Sequence, residues 1–220
     1  MEAEIISIGD ELLIGQTINT NATFIAQKLT EIGVEVKWIT CVGDDEDQIK
    51  YQLSVSEKRS QVIILTGGLG PTHDDVTKKT LVKYFRSNLI LNQQLLDELR
   101  KRFEKRKIKM AKCNEAQALV PDNAIILDNR IGTAPGLLFQ KDRKYFFVLP
   151  GVPVEMKSIT IDHIVPFLQK KSRQVLKKRI IHTMGVSEST LFEYLGDIKE
   201  LEKIVKIGFL PQTGRVDIKL

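Results

Sequence analysis

A glycine-rich segment between residues 66 and 77 carries the residue types best suited to chemistry in this chain. It reads Thr66-Gly67-Gly68-Leu69-Gly70-Pro71-Thr72-His73-Asp74-Asp75-Val76-Thr77. Glycines let a backbone turn tightly and approach a ligand, and the amides that open the following helix can hold a phosphate. Two carboxylates beside an anion make electrostatic sense if a divalent cation bridges them. We therefore predict a phosphate site at Gly67, Gly68, Gly70 and Thr72, with a metal ion at Asp74 and Asp75.

The same segment excludes the common nucleotide-binding motifs. It has no Gly-Lys-Ser/Thr ending and no Gly-x-Gly-x-x-Gly order, so it is neither a Walker loop nor a dinucleotide fingerprint. A purely structural alternative remains open, in which Asp74 and Asp75 only stabilise the start of a helix.

Two further acidic loops follow apolar segments. Gly9-Asp10-Glu11 ends the first segment, and Gly43-Asp44-Asp45-Glu46-Asp47 ends the second. Ligands of open α/β sheets bind outside the carboxyl ends of the strands, so we expect the three acidic loops to converge on one crevice. Taken alone, the second loop fits helix capping better than metal binding. Asn19-Thr20-Asn21 also fits a helix cap, although its amides could read a base or a sugar hydroxyl.

The elements that would position these loops read as an α/β protein. Apolar, β-branched segments predict strands, and each is followed by a polar stretch with helical spacing. Helices that separate consecutive strands predict a mostly parallel sheet. The predicted strands are Ile5–Ile8, Val34–Val42, Gln61–Thr66, Ala124–Leu127, Gly136–Phe139 and Tyr145–Leu149. The predicted helices are Asn19–Ile32, Asp44–Lys58, Asp74–Phe85, Gln93–Lys107 and one from Pro150 to about Gln169.

A polar stretch, Lys170–Gln174, predicts a boundary that divides the chain into domains 1–171 and 172–220. The second domain reads as a small α+β unit with strands at Lys177–Thr183, Val205–Leu210 and Arg215–Leu220, and a helix at Ser187–Leu195. We expect its last strand to be unpaired and the unit to be cut short.

Composition and charge limit the class of protein. The 220 residues are 42% hydrophobic and 28% charged, which excludes disordered and fibrous chains, and no apolar run is long enough to span a membrane. Two cysteines and three histidines, without a Cys-x-x-Cys pair, disfavour a disulfide scaffold or a structural zinc site. We find no export signal, and we expect a cytoplasmic protein.

The charge is unevenly distributed along the chain. Residues 1–75 hold 5 basic and 13 acidic side chains, whereas residues 76–112 hold 12 basic and 3 acidic ones. Such blocks are typical of solvated helix faces, although they also suit a polyanionic ligand. The helix Gln93–Lys107 places Leu95, Leu96, Leu99 and Phe103 on one face. We expect this face to be exposed in the monomer and to be buried when two chains form a homodimer. The alternative is that the helix packs on its own sheet.

Taken together, these segments resemble the CinA (competence/damage-inducible) family. Two glycine-proline loops, which are bare turns on their own, join the segments above in the family's order. The matching segments are Ile8–Gly15, Asn19–Asn21, Gly43–Asp45, Thr66–Thr77, Gly132-Thr133-Ala134-Pro135-Gly136 and Leu149-Pro150-Gly151-Val152-Pro153 with Glu155-Met156-Lys157.

The resemblance implies a three-layer αβα domain of the molybdopterin-binding type, shared with the MoaB and MogA enzymes, followed by part of a KH-like domain. It also implies a metal-dependent hydrolase that splits ADP-ribose into AMP and ribose 5-phosphate, with Mg²⁺, Mn²⁺ or Co²⁺ as cofactor. Many members carry a further domain that deamidates nicotinamide mononucleotide, and we expect that activity to be absent here. Leu69 and Pro71 follow the CinA form of the glycine loop, which argues against true molybdopterin chemistry.

The resemblance and the residue types together give roles to particular residues. The catalytic candidates are Asp75, Asp10 and Glu11. Either Asp10 or Glu11 could be the general base, and Glu11 could instead hold the metal ion with Asp75. Asp45 joins Asp74 and Asp75 as a metal ligand. The remaining candidates bind substrate: Asn19, Asn21, Gly67, Gly68, Gly70, Thr72, Gly132, Thr133, Gly136, Gly151 and Glu155.

Two other functions remain open. The first is a protein that binds a pterin or a nucleotide without turnover. The second is a nucleic-acid-binding module that uses the basic helix and the KH-like segment. KH domains clamp RNA with a Gly-x-x-Gly loop, and residues 172–220 contain none, so this interpretation is the weakest.

Overall fold

A six-stranded sheet forms the centre of the first of two units in the computed structural model, which describes residues 1–70, 76–172 and 179–220. The chain divides into residues 1–175 and 176–220. The strands of the first unit are β1 (Glu2–Ile8), β2 (Glu35–Val42), β3 (Val62–Thr66), β4 (Leu89–Leu91), β5 (Leu119–Pro121), β6 (Ile125–Leu127), β7 (Gly136–Lys141) and β8 (Lys144–Leu149).

The helices of this unit separate the strands as predicted. They are α1 (Asp10–Leu13), α2 (Thr20–Glu31), α3 (Glu46–Arg59), α4 (Thr77–Tyr84), α5 (Gln93–Lys105), α6 (Lys112–Glu115), α7 (Pro153–Ile159) and α8 (Val165–Gln169). A 3-10 turn, Ala116–Ala118, precedes β5, and a π-helical turn, Thr160–Ile164, joins α7 to α8. Pro166 has no N–H to donate to the preceding turn, which accounts for the irregular winding there.

The prediction of a mostly parallel sheet is confirmed. The strand order is β2-β1-β3-β8-β7-β6. Strands β2, β1, β3 and β8 run parallel, while β7 is antiparallel to both β8 and β6. The β1→β2 and β2→β3 connections are helical because strands that run parallel in one sheet need a crossover between them.

Side chains of β1 alternate between two cores, which makes the unit three layers deep. Ile6 and Ile8 pack in one cluster with Leu53 of α3, whereas Ala3 and Ile5 pack in the other with residues of α2 and α7. This alternation follows from the two-residue period of a strand. The three-layer αβα prediction is therefore confirmed.

A buried carboxylate interrupts the apolar alternation of β1. Glu4 is fully buried, and Arg59 at the end of α3 holds it with Nη2–Oε1 and Nε–Oε2 distances of 2.6 and 2.9 Å. Gln52 and Thr40 donate further hydrogen bonds to Oε1. Burial alone would raise the pKa of Glu4, but the hydrogen bonds from Arg59 and its neighbours outweigh it and leave the pKa below its usual value.

We expect Arg59→Ala to lower the free energy of unfolding by about 2 kcal/mol at pH 7, because it removes the hydrogen bonds of a buried charge. Since the Glu4 pKa is lowered by folding, its contribution is present above the unfolded pKa and is lost as the pH falls through the folded one. The difference between variant and wild type should therefore shrink at acidic pH. Urea unfolding at pH 7 and pH 4 measures it, with Lys58→Ala as the control, an exposed cation one residue earlier. An equal loss at both pH values would contradict this account.

The expectation of an exposed apolar face on the helix after residue 92 is wrong. Leu95, Leu96 and Leu99 are buried in the core of their own unit, at 8, 5 and 0% exposure, and Phe103 is half-buried. The helix packs on its own domain, in the same core cluster as Ala118 and Val120, and Val120 belongs to a short antiparallel ribbon of β4 with β5. The sequence did not predict this ribbon. A homodimer stays a prediction, but it loses this proposed cause.

The second unit is a three-stranded antiparallel sheet with one main helix. Its elements are β9 (Ile180–Met184), α9 (Glu188–Leu195), α10 (Lys199–Glu202), β10 (Gly208–Gln212) and β11 (Arg215–Lys219). The sheet order is β10-β11-β9, so β11 is paired on both sides and the expectation that the last strand is unpaired is wrong. Leu191 of α9 packs on Val216 and Ile218 of β11, and Ser187 caps α9.

Some predicted boundaries shift or lie outside the described residues. The strand predicted at Val205–Leu210 runs instead from Gly208 to Gln212. The predicted starts at Lys177 and Asp74 fall in segments that are not described. Within the described ranges, no helix is long and apolar enough to cross a membrane.

Candidate functional site

A crevice lies at the carboxyl ends of β1, β3 and β8. The chain passes from β1 to β2, which lies on one side of β1, and then to β3, which lies on the other side of β1. The strand order therefore reverses at β1. Open α/β sheets bind ligands at such reversals. Two hollows of about 130 and 240 Å³ meet here, and both are lined by Ile8, Glu11, Gly67 and Gly151. Together they form one crevice. We call the 130 Å³ part, which Asn19 and Asn21 line, the neutral hollow, and the 240 Å³ part, which Asp44 lines, the acidic hollow.

The acidic hollow is built from carboxylates that lie over glycines. A Cβ on Gly9 would lie 2.5 Å from both carboxylate oxygens of Glu11, and a Cβ on Gly43 would lie 2.6 Å from Oδ1 of Asp10. A side chain added at either position would displace that carboxylate. The glycines of the Gly-Asp-Glu and Gly-Asp-Asp sequences therefore let the acidic side chains fold back over the strand ends.

Two of the carboxylates in this region link the loops. The Asp10 amide donates to Asp44 Oδ2, and the Asp44 amide donates to Asp10 Oδ1, both at 3.1 Å. This reciprocal pair fixes the loop after β1 to the loop after β2. Glu11 differs, because its exposed carboxylate makes no hydrogen bond or ion pair within the described ranges. Glu11 is thus the carboxylate of this group that is free to accept a proton or a cation.

The backbone turn at Gly67 and Gly68 also lines the acidic hollow. The two residues have φ values of +117° and +65°, which favour glycine. The Gly67 amide donates to Leu149 O at 3.1 Å, which joins the turn to the end of β8. A Cβ on Gly67 would lie 2.1 Å from Ile8 O, so the turn packs directly on β1.

The neutral hollow holds the two asparagines of the Asn19-Thr20-Asn21 sequence, and they have different roles. Asn19 caps α2 by accepting from the Ala22 amide at 3.1 Å, and its Nδ2 donates to Ser7 Oγ at 2.9 Å. Asn21 lies inside α2, and its Nδ2 donates to Thr66 Oγ1 and Gly151 O at 3.1 and 2.8 Å. Asn21 therefore links α2 to the ends of β3 and β8, where the crevice forms.

A separate network orders the loop before β7. Asn129 accepts from the amides of Ile131 and Gly132 and donates to Glu155 Oε2. A Cβ on Gly132 would lie about 2 Å from the Glu155 carboxylate (1.9–2.2 Å to its atoms). Arg102 of α5 donates to Gly132 O at 2.7 Å. The sequence missed Asn129 and Arg102, since one is an isolated asparagine and the other belongs to a basic run that is typical of a solvated face.

Several predicted site residues lie elsewhere or have structural partners. Asp45 caps α3 by accepting from the Gln48 amide at 2.8 Å. Gly136 opens β7, where a Cβ would lie 3.0 Å from Ile159, so helix packing explains this glycine. Thr72, Asp74 and Asp75 lie outside the described residues, and Gly70 borders them. The described ranges contain no group of three or more histidine, cysteine, aspartate or glutamate side chains placed to hold a metal ion.

Glu46 next to this crevice is already neutralised by lysines. The hydrogen bond from Lys50, followed by that from Lys83, lowers the pKa of Glu46 to about 2. Lys83 belongs to α4, so the pair also ties α3 to α4. The negative charge of Glu46 is thus engaged in holding helices together rather than directed into the crevice.

The fold and the crevice define an α/β protein of the molybdopterin-binding type. The family model described as "Probable molybdopterin binding domain" matches residues 4–170. A molybdopterin biosynthesis protein from Mycobacterium abscessus shares the fold with a TM-score of 0.51 at 13% identity, over 77% of this chain and 92% of that one.

Within that class, the chain belongs to the CinA family. A protein of Caldicellulosiruptor saccharolyticus named as competence-damage inducible is 43% identical over the whole chain, which covers 54% of the relative. A CinA-like protein of Flavobacterium psychrophilum is 42% identical, again over the whole chain and 53% of the relative. The crystal structure of CinA from Thermoplasma acidophilum, described as of unknown function, has a TM-score of 0.66 at 34% identity, over 73% of this chain and 94% of that one. The chain spans about half the length of the curated relatives it matches.

Proposed function

We propose that this chain hydrolyses the phosphoanhydride bond of an ADP-ribose-like nucleotide, giving AMP and ribose 5-phosphate. The observation that carries the proposal is the acidic hollow, which is lined both by Glu11, whose carboxylate has no partner in the described ranges, and by the Gly67–Gly68 turn. A carboxylate beside a glycine turn suits water activation next to a bound phosphate. The resemblance of the sequence motifs to the CinA family points to the same reaction.

The oxygen donors present fit a divalent cation of the Mg²⁺, Mn²⁺ or Co²⁺ type. Hard cations prefer carboxylate and phosphate oxygens, and carboxylates line the described part of the hollow. Asp74 and Asp75 remain the proposed ligands that complete such a site, with Asp45 as a third. When bound, the cation would neutralise the diphosphate and lower the pKa of water.

The residues of the chain then divide the work of hydrolysis. The Gly67–Gly68 backbone would lie against the diphosphate, because no side chain stands between it and the hollow. The oxygen of a water molecule would bond to one phosphorus while Glu11 accepts a proton from that water. The bridging P–O bond would break, leaving two phosphomonoesters. Asp10 is a weaker candidate for this base, since its Oδ1 already accepts from the Asp44 amide.

A coupled phosphatase assay tests the proposal. ADP-ribose has no terminal phosphate, whereas both expected products are phosphomonoesters that a phosphatase can cleave. We expect phosphate release with Mg²⁺, Mn²⁺ or Co²⁺ and none with a chelator. Absence of release with all three metals would contradict the proposal.

The description of the matching family model favours a second candidate, a domain that binds a pterin or nucleotide without turnover. Calorimetric binding of ADP-ribose or a pterin without any product would support it. The two candidates are thus separated by turnover under the same conditions.

A further inference from the structure

We propose that the neutral hollow binds a hydroxyl-bearing sugar of the substrate, and that Oδ1 of Asn21 is the acceptor that recognises it. This inference rests on the proposed function for the identity of the diphosphate next to it. It assigns the two hollows different parts of one ligand: the charged diphosphate in the acidic hollow and an uncharged polar group in the neutral one.

The lining of the neutral hollow supports an uncharged polar ligand. Apart from Glu11 at the boundary between the hollows, the described side chains that line it are hydroxyls, amides and aliphatic groups. A phosphate would meet no cationic side chain among these described residues, whereas a sugar offers hydroxyl donors and acceptors to Asn19 and Asn21 and an apolar ring face to Leu12 and Ile18.

The hydrogen bonds around Asn21 determine which way its amide points. Thr66 Oγ1 donates its hydrogen to Pro150 O at 3.0 Å, so it can only accept from Asn21. Gly151 O is also an acceptor only. Both contacts therefore require the NH₂ group of Asn21, and its oxygen must point away from them.

The oxygen that remains is unsatisfied. Asn21 Oδ1 is buried and has no hydrogen-bond partner within the described residues. A buried acceptor without a partner has lost the hydrogen bond that water gives it in the unfolded chain, which destabilises the empty site. Asn19 provides the contrast, because its Oδ1 accepts from the Ala22 amide and its Nδ2 donates to Ser7. Two asparagines with one residue between them thus differ: Asn19 is satisfied by the protein, whereas Asn21 has an acceptor left for a ligand hydroxyl.

Calorimetry with two non-hydrolysable probes separates the two hollows. Methylenediphosphonate carries only the charged core, and α,β-methylene-ADP-ribose carries the same core with its sugars; both are titrated in the presence of Mg²⁺. We expect Asn21→Ala to weaken the sugar-bearing probe about 10-fold and to leave the affinity for methylenediphosphonate unchanged.

Two control variants keep the outcome interpretable. Asn19→Ala should lower thermal stability through loss of the α2 cap, without a selective loss of the sugar-bearing probe. Thr66→Val removes the hydroxyl that accepts from Asn21, so the Asn21 amide is held less firmly, and we expect a selective loss of the sugar-bearing probe that is smaller than in Asn21→Ala. Equal loss of both probes in Asn21→Ala, no loss in that variant, or a selective loss in Asn19→Ala as large as in Asn21→Ala would each overturn the inference.

The test does not depend on turnover. A chain that fails to hydrolyse ADP-ribose but shows the selective loss would refute the proposed function and support the sugar site. A chain that hydrolyses ADP-ribose without the selective loss would support the proposed function and refute the sugar site.

Discussion

Glu11→Gln is expected to lower kcat for ADP-ribose hydrolysis by about 100-fold to 10,000-fold, the range for loss of a general base. The variant should keep its fold, because the Glu11 carboxylate is exposed and has no partner within the described ranges that glutamine would lose. Glutamine cannot take up the proton that water releases. Steady-state kinetics by the coupled phosphatase assay, with a circular dichroism melt for each variant, provides the measurement.

Two other substitutions make this prediction specific. Asp10→Asn retains an oxygen that can accept from the Asp44 amide, so we expect less than a 10-fold loss of kcat. Glu31→Gln changes an exposed carboxylate at the far end of α2, paired with Lys28 at 2.8 Å, and should leave activity unchanged. If Asp10→Asn is as damaging as Glu11→Gln, or if Glu11→Gln is active, the assignment of the base is wrong.

The sequence predicted the elements of the first unit well because their signals are local. Short β-branched runs such as Val62–Thr66 favour buried strands, and Asn19 and Gly33 mark the ends of the α2 region. The parallel order follows from these alternating elements. The same local signals located the last strand but not its pairing, since pairing of β11 on both sides depends on partners far away in the sequence.

The site was predicted at the level of loops but not of single side chains. Strand ends identify which loops meet, and the Gly9, Gly43 and Gly67 loops do meet. Which carboxylate is left free depends on hydrogen bonds across loops, such as the Asp10–Asp44 pair, and no spacing in the sequence encodes them. The packing of α5 also depends on distant residues. The spacing of Leu95 and Leu99 predicted an apolar helix face, but it did not predict which part of the chain covers that face.

The glycine turn gives the largest expected effect on stability. Gly67→Ala should lower the free energy of unfolding by about 3–5 kcal/mol, because it combines overpacking with backbone strain. The added Cβ would lie 2.1 Å from Ile8 O, a backbone atom of the strand next to β3 that cannot swing aside, and the residue has φ +117°. Gly15→Ala isolates the strain, since Gly15 has φ +72° and a Cβ there would meet nothing within 4 Å; we expect it to cost about 1 kcal/mol. Urea unfolding of both variants measures the difference. Equal losses would mean that strain alone accounts for Gly67, and that close packing of the turn on β1 contributes nothing to the stability of the crevice.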